Sequence, residues 1–242
     1  MHAAVNKSLS SWVYRVGGRL SDLLFPPACL VCGEPGQPGR DLCPACAAAL
    51  PWLESACRGC ALPLPASEPA GALCGACRPG RSPLTEVHAA FLYAAPMDGL
   101  LRRFKFHGDL AAGRLLAQLM HAPLAAVERP QALVPVPLHL SRLRRRGYDQ
   151  ALELARPLAR ALRLPMLAGL RRTRATAAQS ELDAAARRRN LRAAFAARGT
   201  LPAHVALVDD VMTTGATLQA AARALRRAGV ARVDAWVCAR VP

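Results

Sequence analysis

A chain of 242 residues with 52% apolar composition is long enough for one large core or two modest ones. Its formal net charge is +16, and residues 81–242 carry nearly all of it: 26 basic against 11 acidic residues, compared with six against five in residues 1–80. That field suits polyanionic partners such as nucleic acid, polyphosphates or acidic lipid without choosing among them. No apolar run of about 18 residues occurs, which argues against a membrane span.

The opening residues lack the ordered regions of a secretory signal, so a cytoplasmic location is expected. Val13, Val16, Leu20, Leu23 and Leu24 recur at helical spacing, which predicts a short amphipathic helix within residues 1–28, ended by Pro26-Pro27. Four CxxC knuckles follow: Cys29/Cys32, Cys43/Cys46, Cys57/Cys60 and Cys74/Cys77, with ten, ten and thirteen residues between successive pairs. Each knuckle aims two thiolates at one point, and two knuckles complete a tetrahedral S4 site. The spacing favours two structural zincs over a disulfide framework, which needs an oxidising compartment, and over an iron–sulfur cluster. Sequential pairing is preferred, with cross-brace pairing left open by spacing alone. Eight thiolates leave neither ion an open position. Cys238 stands alone in an apolar run and reads as a core thiol.

Composition changes after Pro79-Gly80, which sets expected domains at 1–28, 29–80 and 81–242. In the last of these, strands are expected at 87–94, 132–137, 166–170, 204–208 and 231–239. Helices are expected at 109–127, 148–162 and 217–228. Residues 171–189 are Arg-rich and weakly periodic, as in a loop leading into a short helix. Strands alternating with helices predict an α/β domain with a mostly parallel sheet.

The segment VALVDDVMTTGATL (205–218) carries the most chemistry. A continuous apolar strand is expected to stop at Asp209-Asp210, and Thr213, Thr214 and Gly215 lead into a helix. Ligands of parallel sheets bind at the carboxyl ends of strands. A helix N-terminus suits a phosphate, Gly215 permits positive φ or close backbone approach, and carboxylates accept hydrogen bonds from vicinal hydroxyls or hold Mg²⁺ through water. A diol edge beside a phosphate cradle describes a ribose 5-phosphate site.

This segment resembles the 5-phosphoribosyl-1-pyrophosphate (PRPP) motif of type I phosphoribosyltransferases. With the eight knuckle cysteines, FKFHGD (104–109), VPVPLHLSRLRRRGYDQA (134–151) and AAQSELDAAARRRNLRAAF (177–195), the order is similar to that of the ComF family of competence proteins over nearly the whole chain. The resemblance implies a type I phosphoribosyltransferase-like fold behind a double zinc ribbon. It implies that Asp209 and Asp210 hold the ribose hydroxyls and that Thr213, Thr214, Gly215, Ala216 and Thr217 cradle the 5-phosphate. Pro137, Leu138 and His139 would form the pyrophosphate loop, with counter-charge from Arg142, Arg144, Arg145 and Arg146. Gln179 and Ser180 would lie on a flexible closing loop. Asp149 departs from the Asn that relatives often carry. Lys105 and His107 read better as helix-terminal structural residues than as substrate contacts. The implied activity is Mg²⁺-dependent transfer of a phosphoribosyl group to a base or amine. The alternative is a PRPP-sensing accessory protein that binds single-stranded DNA alongside DNA-uptake proteins. Phe104, Phe106, Tyr148 and Phe195 are its candidate stacking platforms.

Overall fold

A computed structural model describes residues 26–78, 80, 82–173 and 194–242. The helix expected within residues 1–28 therefore falls outside the described residues up to residue 25. Residues 174–193, with Gln179 and Ser180, fall outside them too. The chain divides into two compact units, Met1–Leu50 and Pro51–Pro242.

The first unit is built around a short helix, α1 (Pro44–Ala48). Pro44 occupies its first turn, where a missing N–H costs nothing, and the Cys43 thiol caps it by accepting from Cys46 N at 3.4 Å. Leu42 is fully buried between the two knuckles of this unit.

The second unit holds a four-stranded, wholly parallel sheet in the order β1 (Val87–Leu92), β6 (Arg232–Arg240), β5 (His204–Met212), β2 (Ala132–Pro135). Its strands are nearly continuous apolar runs because both faces are covered. α2 (Met97–Phe106), α3 (Leu110–Ala125) and α5 (Gln150–Leu162) form one group of covering helices, and α6 (Ala216–Arg227) packs on β5 and β6 from another element layer. α5 shows how the sequence builds such a helix. Asp149 caps it through Leu152 N, and Ala151, Leu154, Ala155 and Leu158 form its buried stripe. Gly113 of α3 lets α2 come close, since a Cβ there would meet the Phe104 ring at 2.4 Å.

Both sheet edges are covered. Residues 51–58 run beside β1: Leu92 N donates to Pro51 O, Leu53 N to Ala90 O and Val87 N to Arg58 O. Trp52 stacks on Phe91 with ring centroids 4.4 Å apart. The third and fourth knuckles thus belong to the same compact unit as the sheet, although composition changes only near residue 80. Beside β2, the expected strand at 166–170 reduces to one parallel bridge, Leu133 to Met166. Leu170 instead begins β3 (Leu170–Arg172), which pairs antiparallel with β4 (Phe195–Ala197).

Besides β3 and β4, α2, α4 and β5 differ from the sequence-based expectation. α2 was not foreseen, nor was α4 (Leu140–Arg146). The strand at 204–208 does not stop at the aspartates but continues to Met212, because β6 is nine residues long and keeps pairing: Asp209 opposes Val237, Val211 opposes Ala239 and Met212 opposes Arg240.

Candidate functional site

Because β5 runs through both aspartates, strand alternation sends their side chains to opposite faces of the sheet. Asp210 is 6% exposed. Its Oδ2 lies 2.9 Å from the Nζ of Lys105, which the last turn of α2 delivers to the sheet end. Asp209 is half-buried and has a different environment. Burial first, and the neighbouring Asp210 charge second, hold its carboxyl well above the usual carboxylate range, against the pull of Lys105.

Past Met212 the chain turns at Thr213 and Thr214, both exposed, and enters α6 through Gly215 at φ +73°. A Cβ on Gly215 would be strained in that conformation and would sit 2.4 Å from the Met212 Cε. Gly215 offers no side-chain cap. The helices α3, α4 and α5 are all capped, by Asp109, His139 and Asp149. At α6 the only such bond described is a long one, Ala216 N to Thr214 Oγ1 at 3.4 Å. The amides of Ala216 and Thr217 therefore stand at an N-terminus suited to an anion.

The neighbouring β2 ends level with Val208, just before the aspartates, since Val136 N donates to Val208 O at 3.0 Å. The loop Pro137–His139 that follows is shaped by Asp149. Its Oδ2 accepts from Leu138 N at 2.9 Å and its Oδ1 from Leu152 N at 3.2 Å. Burial pushes the Asp149 carboxyl above its ordinary value. His139 caps α4 by accepting from Ser141 N through Nδ1. α4 ends in Arg144, Arg145 and Arg146, and Gly147 closes it at φ +82°. Arg146 donates to Gln150 Oε1 at 3.0 Å and lies 5.6 Å over the Phe106 ring. Arg172 of β3 lies over Phe195 at 5.2 Å. Asp149→Ala removes the acceptor of two backbone bonds at once. Chemical denaturation should show a loss of about 1–2 kcal/mol.

The thiols form two further sites, each within one unit. Cys29, Cys32, Cys43 and Cys46 place their Sγ atoms within 4.8 Å of one another, and Cys57, Cys60, Cys74 and Cys77 do the same. The pairing is therefore sequential. Cys32–Cys43 and Cys60–Cys74 sulfurs are 3.8 Å and 3.7 Å apart. A tetrahedron with Zn–S bonds of about 2.3 Å has edges of about 3.8 Å, so the thiols fit zinc closely. Burial opposes the Cys29 thiolate, yet the backbone N–H groups of Cys43, Cys32 and Val31 bring it down to about 6. Cys57 is brought to about 7 in the same way, chiefly by Cys74 N at 3.2 Å.

Comparison with known proteins agrees with both halves. Residues 20–78 match the double zinc ribbon domain, and residues 148–242 match the phosphoribosyl transferase domain. Competence protein F of Haemophilus influenzae is 39% identical over 159 residues, which cover 61% of this chain and 69% of that protein. DNA utilization protein YhgH of Escherichia coli K12 is 34% identical over 222 residues, covering 88% and 89%. The chain belongs to the ComF family. Competence protein ComFC of Streptococcus pneumoniae is a more distant relative, 27% identical over 154 residues, covering 63% of this chain and 67% of that protein.

In this ComF chain the sheet end gathers the residues that the sequence singled out. Asp209 and Asp210 lie in the last four residues of β5, the turn 213–217 follows it, and Pro137–His139 follows the neighbouring β2. Arg142 and Arg146 stand on the helix after that loop. Gln179 and Ser180 lie outside the described residues. Lys105, read from sequence as a helix-terminal structural residue, reaches a site aspartate, Asp210. A faint signal existed: it is one of only two lysines among 32 basic residues. Of the four candidate stacking platforms, Phe104 and Phe195 are buried in the core, Tyr148 packs on Phe104, and Phe106 is 65% exposed.

Proposed function

We propose that this ComF protein binds PRPP with Mg²⁺ and transfers its phosphoribosyl group to a nitrogen acceptor. The observation that carries this reading is the pairing of two carboxylates with an uncapped helix N-terminus, with four residues between Asp210 and Gly215, at the carboxyl end of a central parallel strand.

Asp209, the more accessible acid, accepts from the ribose hydroxyls. Asp210, held by Lys105, fixes the strand end and adds charge beneath the sugar. The exposed hydroxyls of Thr213 and Thr214, with the amides of Ala216 and Thr217, receive the 5-phosphate. The loop Pro137–His139 faces the pyrophosphate, and Arg142 and Arg146 supply counter-charge beside it. The donor set near this group is hard oxygen, which suits Mg²⁺ held largely through water. Mg²⁺ bound with PRPP supplies charge neutralisation on the pyrophosphate.

The C1–O bond breaks with both electrons passing to pyrophosphate, and the acceptor nitrogen's lone pair forms the C1–N bond. A proton on that nitrogen leaves with the pyrophosphate product. No protein nucleophile is required, and rate enhancement comes from positioning and preorganised electrostatics. Calorimetry of the zinc-loaded chain with PRPP and Mg²⁺ should give saturable heat; an empty titration removes the reading. Gly215→Ala, which forces a Cβ toward Met212, should weaken PRPP binding by about tenfold, an order given by roughly 1–2 kcal/mol of backbone strain.

A second reading follows from the relatives' names, which refer to competence and DNA utilization, and from the charge of residues 81–242. Binding of single-stranded DNA by such a surface would be sequence-indifferent and would fall steeply with salt. Titration of an oligothymidylate at two ionic strengths checks it. No affinity at low salt excludes it.

A further inference from the structure

Next to Lys105, whose Nζ meets Asp210, lies an open pocket of about 480 Å³, between the end of α2 and the end of α4. It is lined by Lys105, Phe106, His107, Arg145, Arg146 and Tyr148, with one glycine. Four of these carry or can carry positive charge, and none is acidic. Phe106 is the most exposed large apolar side chain among the described residues. Phe106 takes no part in the core, where the buried Phe104 pairs instead with Tyr148 at 5.6 Å between ring centroids. Arg145 has no hydrogen-bond or ion-pair partner among the described residues. The Tyr148 hydroxyl and the Gln150 amide nitrogen are buried without partners there too. Lys105 belongs to both places: it lines the pocket and its Nζ is 2.9 Å from Asp210.

The geometry points to this pocket as the acceptor subsite, and to an acceptor that is a planar aromatic acid. This rests on the phosphoribosyl-transfer reading. The Phe106 ring offers a stacking face, Arg145 offers a guanidinium fork for a carboxylate, and Lys105 ties the pocket to Asp210 beneath the proposed sugar. The volume suits one small molecule. An extended strand of nucleic acid would call for several platforms, and the pocket provides one. In the transfer, a ring nitrogen's lone pair forms the bond to C1 as the C1–O bond breaks toward pyrophosphate, and any proton on that nitrogen departs with the pyrophosphate.

The test uses the full zinc-loaded chain and four aromatic acids: benzoate, nicotinate, orotate and indole-3-carboxylate, with uncharged nicotinamide for contrast. Binding is followed by calorimetry and by saturation-transfer NMR, with and without PRPP and Mg²⁺, on wild type, Phe106→Ala, Phe106→Trp and Arg145→Gln. At least one acid should bind wild type, lose about tenfold in both Phe106→Ala and Arg145→Gln, and recover in Phe106→Trp. Nicotinamide should bind far more weakly, the acid should bind more tightly with PRPP present, and PRPP affinity should stay within about twofold in Phe106→Ala. Acid binding that ignores both substitutions overturns the proposal, as does failure of every acid to bind at millimolar concentration. If an oligothymidylate, and no acid, depends on Phe106, the pocket belongs to a nucleic-acid strand and the proposal falls. If PRPP fails on wild type while an acid still needs Phe106, the transfer reading fails and the acceptor role falls with it, leaving only an aromatic-anion site.

Discussion

Asp209→Asn should weaken PRPP binding by roughly 100-fold and, in the same protein, raise the melting temperature at neutral pH. The two effects have one origin. Burial and the Asp210 charge hold the Asp209 carboxyl well above its ordinary value, so its ionised form is strained in the folded chain. Lys105 lies toward Asp210, Asp149 adds a like charge, and Arg172 supplies an opposite one from β3. An unfolded Asp ionises near pH 4. Below that pH both states are protonated and the group costs nothing. As pH rises toward the folded value, the unfolded chain gains by ionising and the folded chain does not, so stability falls. Asn removes that loss, so its stabilising effect should be present at pH 7 and vanish near pH 4. Asn also replaces a carboxyl, which Mg²⁺ and PRPP would draw into its ionised form on binding, with an amide that cannot ionise to strengthen hydrogen bonds to a sugar diol. Two such bonds are worth about 3 kcal/mol, or roughly 100-fold in affinity. Thermal melts across pH with matched calorimetry measure both. A variant less stable at neutral pH than wild type would show Asp209 to be a structural acid, and the sugar-binding role would lose its physical basis.

Much of this was legible in the sequence because parallel strands covered on both faces must be apolar throughout. ALVP, HVALV and ARVDAWVCA announced β2, β5 and β6 for that reason. The CxxC spacing announced S4 sites because two-residue loops fix thiolate direction, although only folded geometry could choose sequential pairing. What the sequence hid has physical causes as well. α4 has no apolar stripe, and it is held by the His139 cap and the Gly147 turn, so hydrophobic periodicity could not reveal it. α2 begins after a proline and contains Gly99, both poor helix signals. β3 and β4 are three residues each and their pairing partners are distant in the chain. Two adjacent acids looked like the end of a strand, because charges are unfavourable inside a sheet. Pairing with β6 carried β5 past them, and that is what separates Asp209 from Asp210 onto different faces. The Lys105–Asp210 contact joins parts of the chain far apart in sequence and leaves no local pattern.

Cys57→Ser should have the largest structural effect of any single substitution in the second unit, and it should reach the phosphate turn. Cys57 is fully buried and its sulfur accepts from Cys74 N. Losing one of four ligands should reduce the zinc content from two ions per chain to one. Structural zinc contributes about 10–16 kcal/mol in isolated modules, comparable to the whole stability of a domain, so a large fall in melting temperature is expected. The path to the turn is covalently short and polar. The carbonyl of Cys60, in the same knuckle, accepts from Arg240 Nε at 2.8 Å. The Arg240 guanidinium is 7% exposed and also donates to Met212 O at 3.2 Å and to Val241 O. Met212 is the residue whose Cε lies against Gly215. Disorder in the knuckle therefore frees a buried cation that also holds Met212, the last residue of β5. PRPP affinity should drop in Cys57→Ser at temperatures where the sheet is still folded, as judged by the buried Trp236 fluorescence. Cys43→Ser, in the first unit, should lose its own zinc and the order of residues 29–46. Arg240→Lys, which keeps charge but loses the forked geometry, should reproduce the loss of PRPP affinity with both zincs retained. If Cys57→Ser loses its zinc and still binds PRPP like wild type, the second ribbon is a passive cover for β1, and Arg240 transmits nothing to the turn.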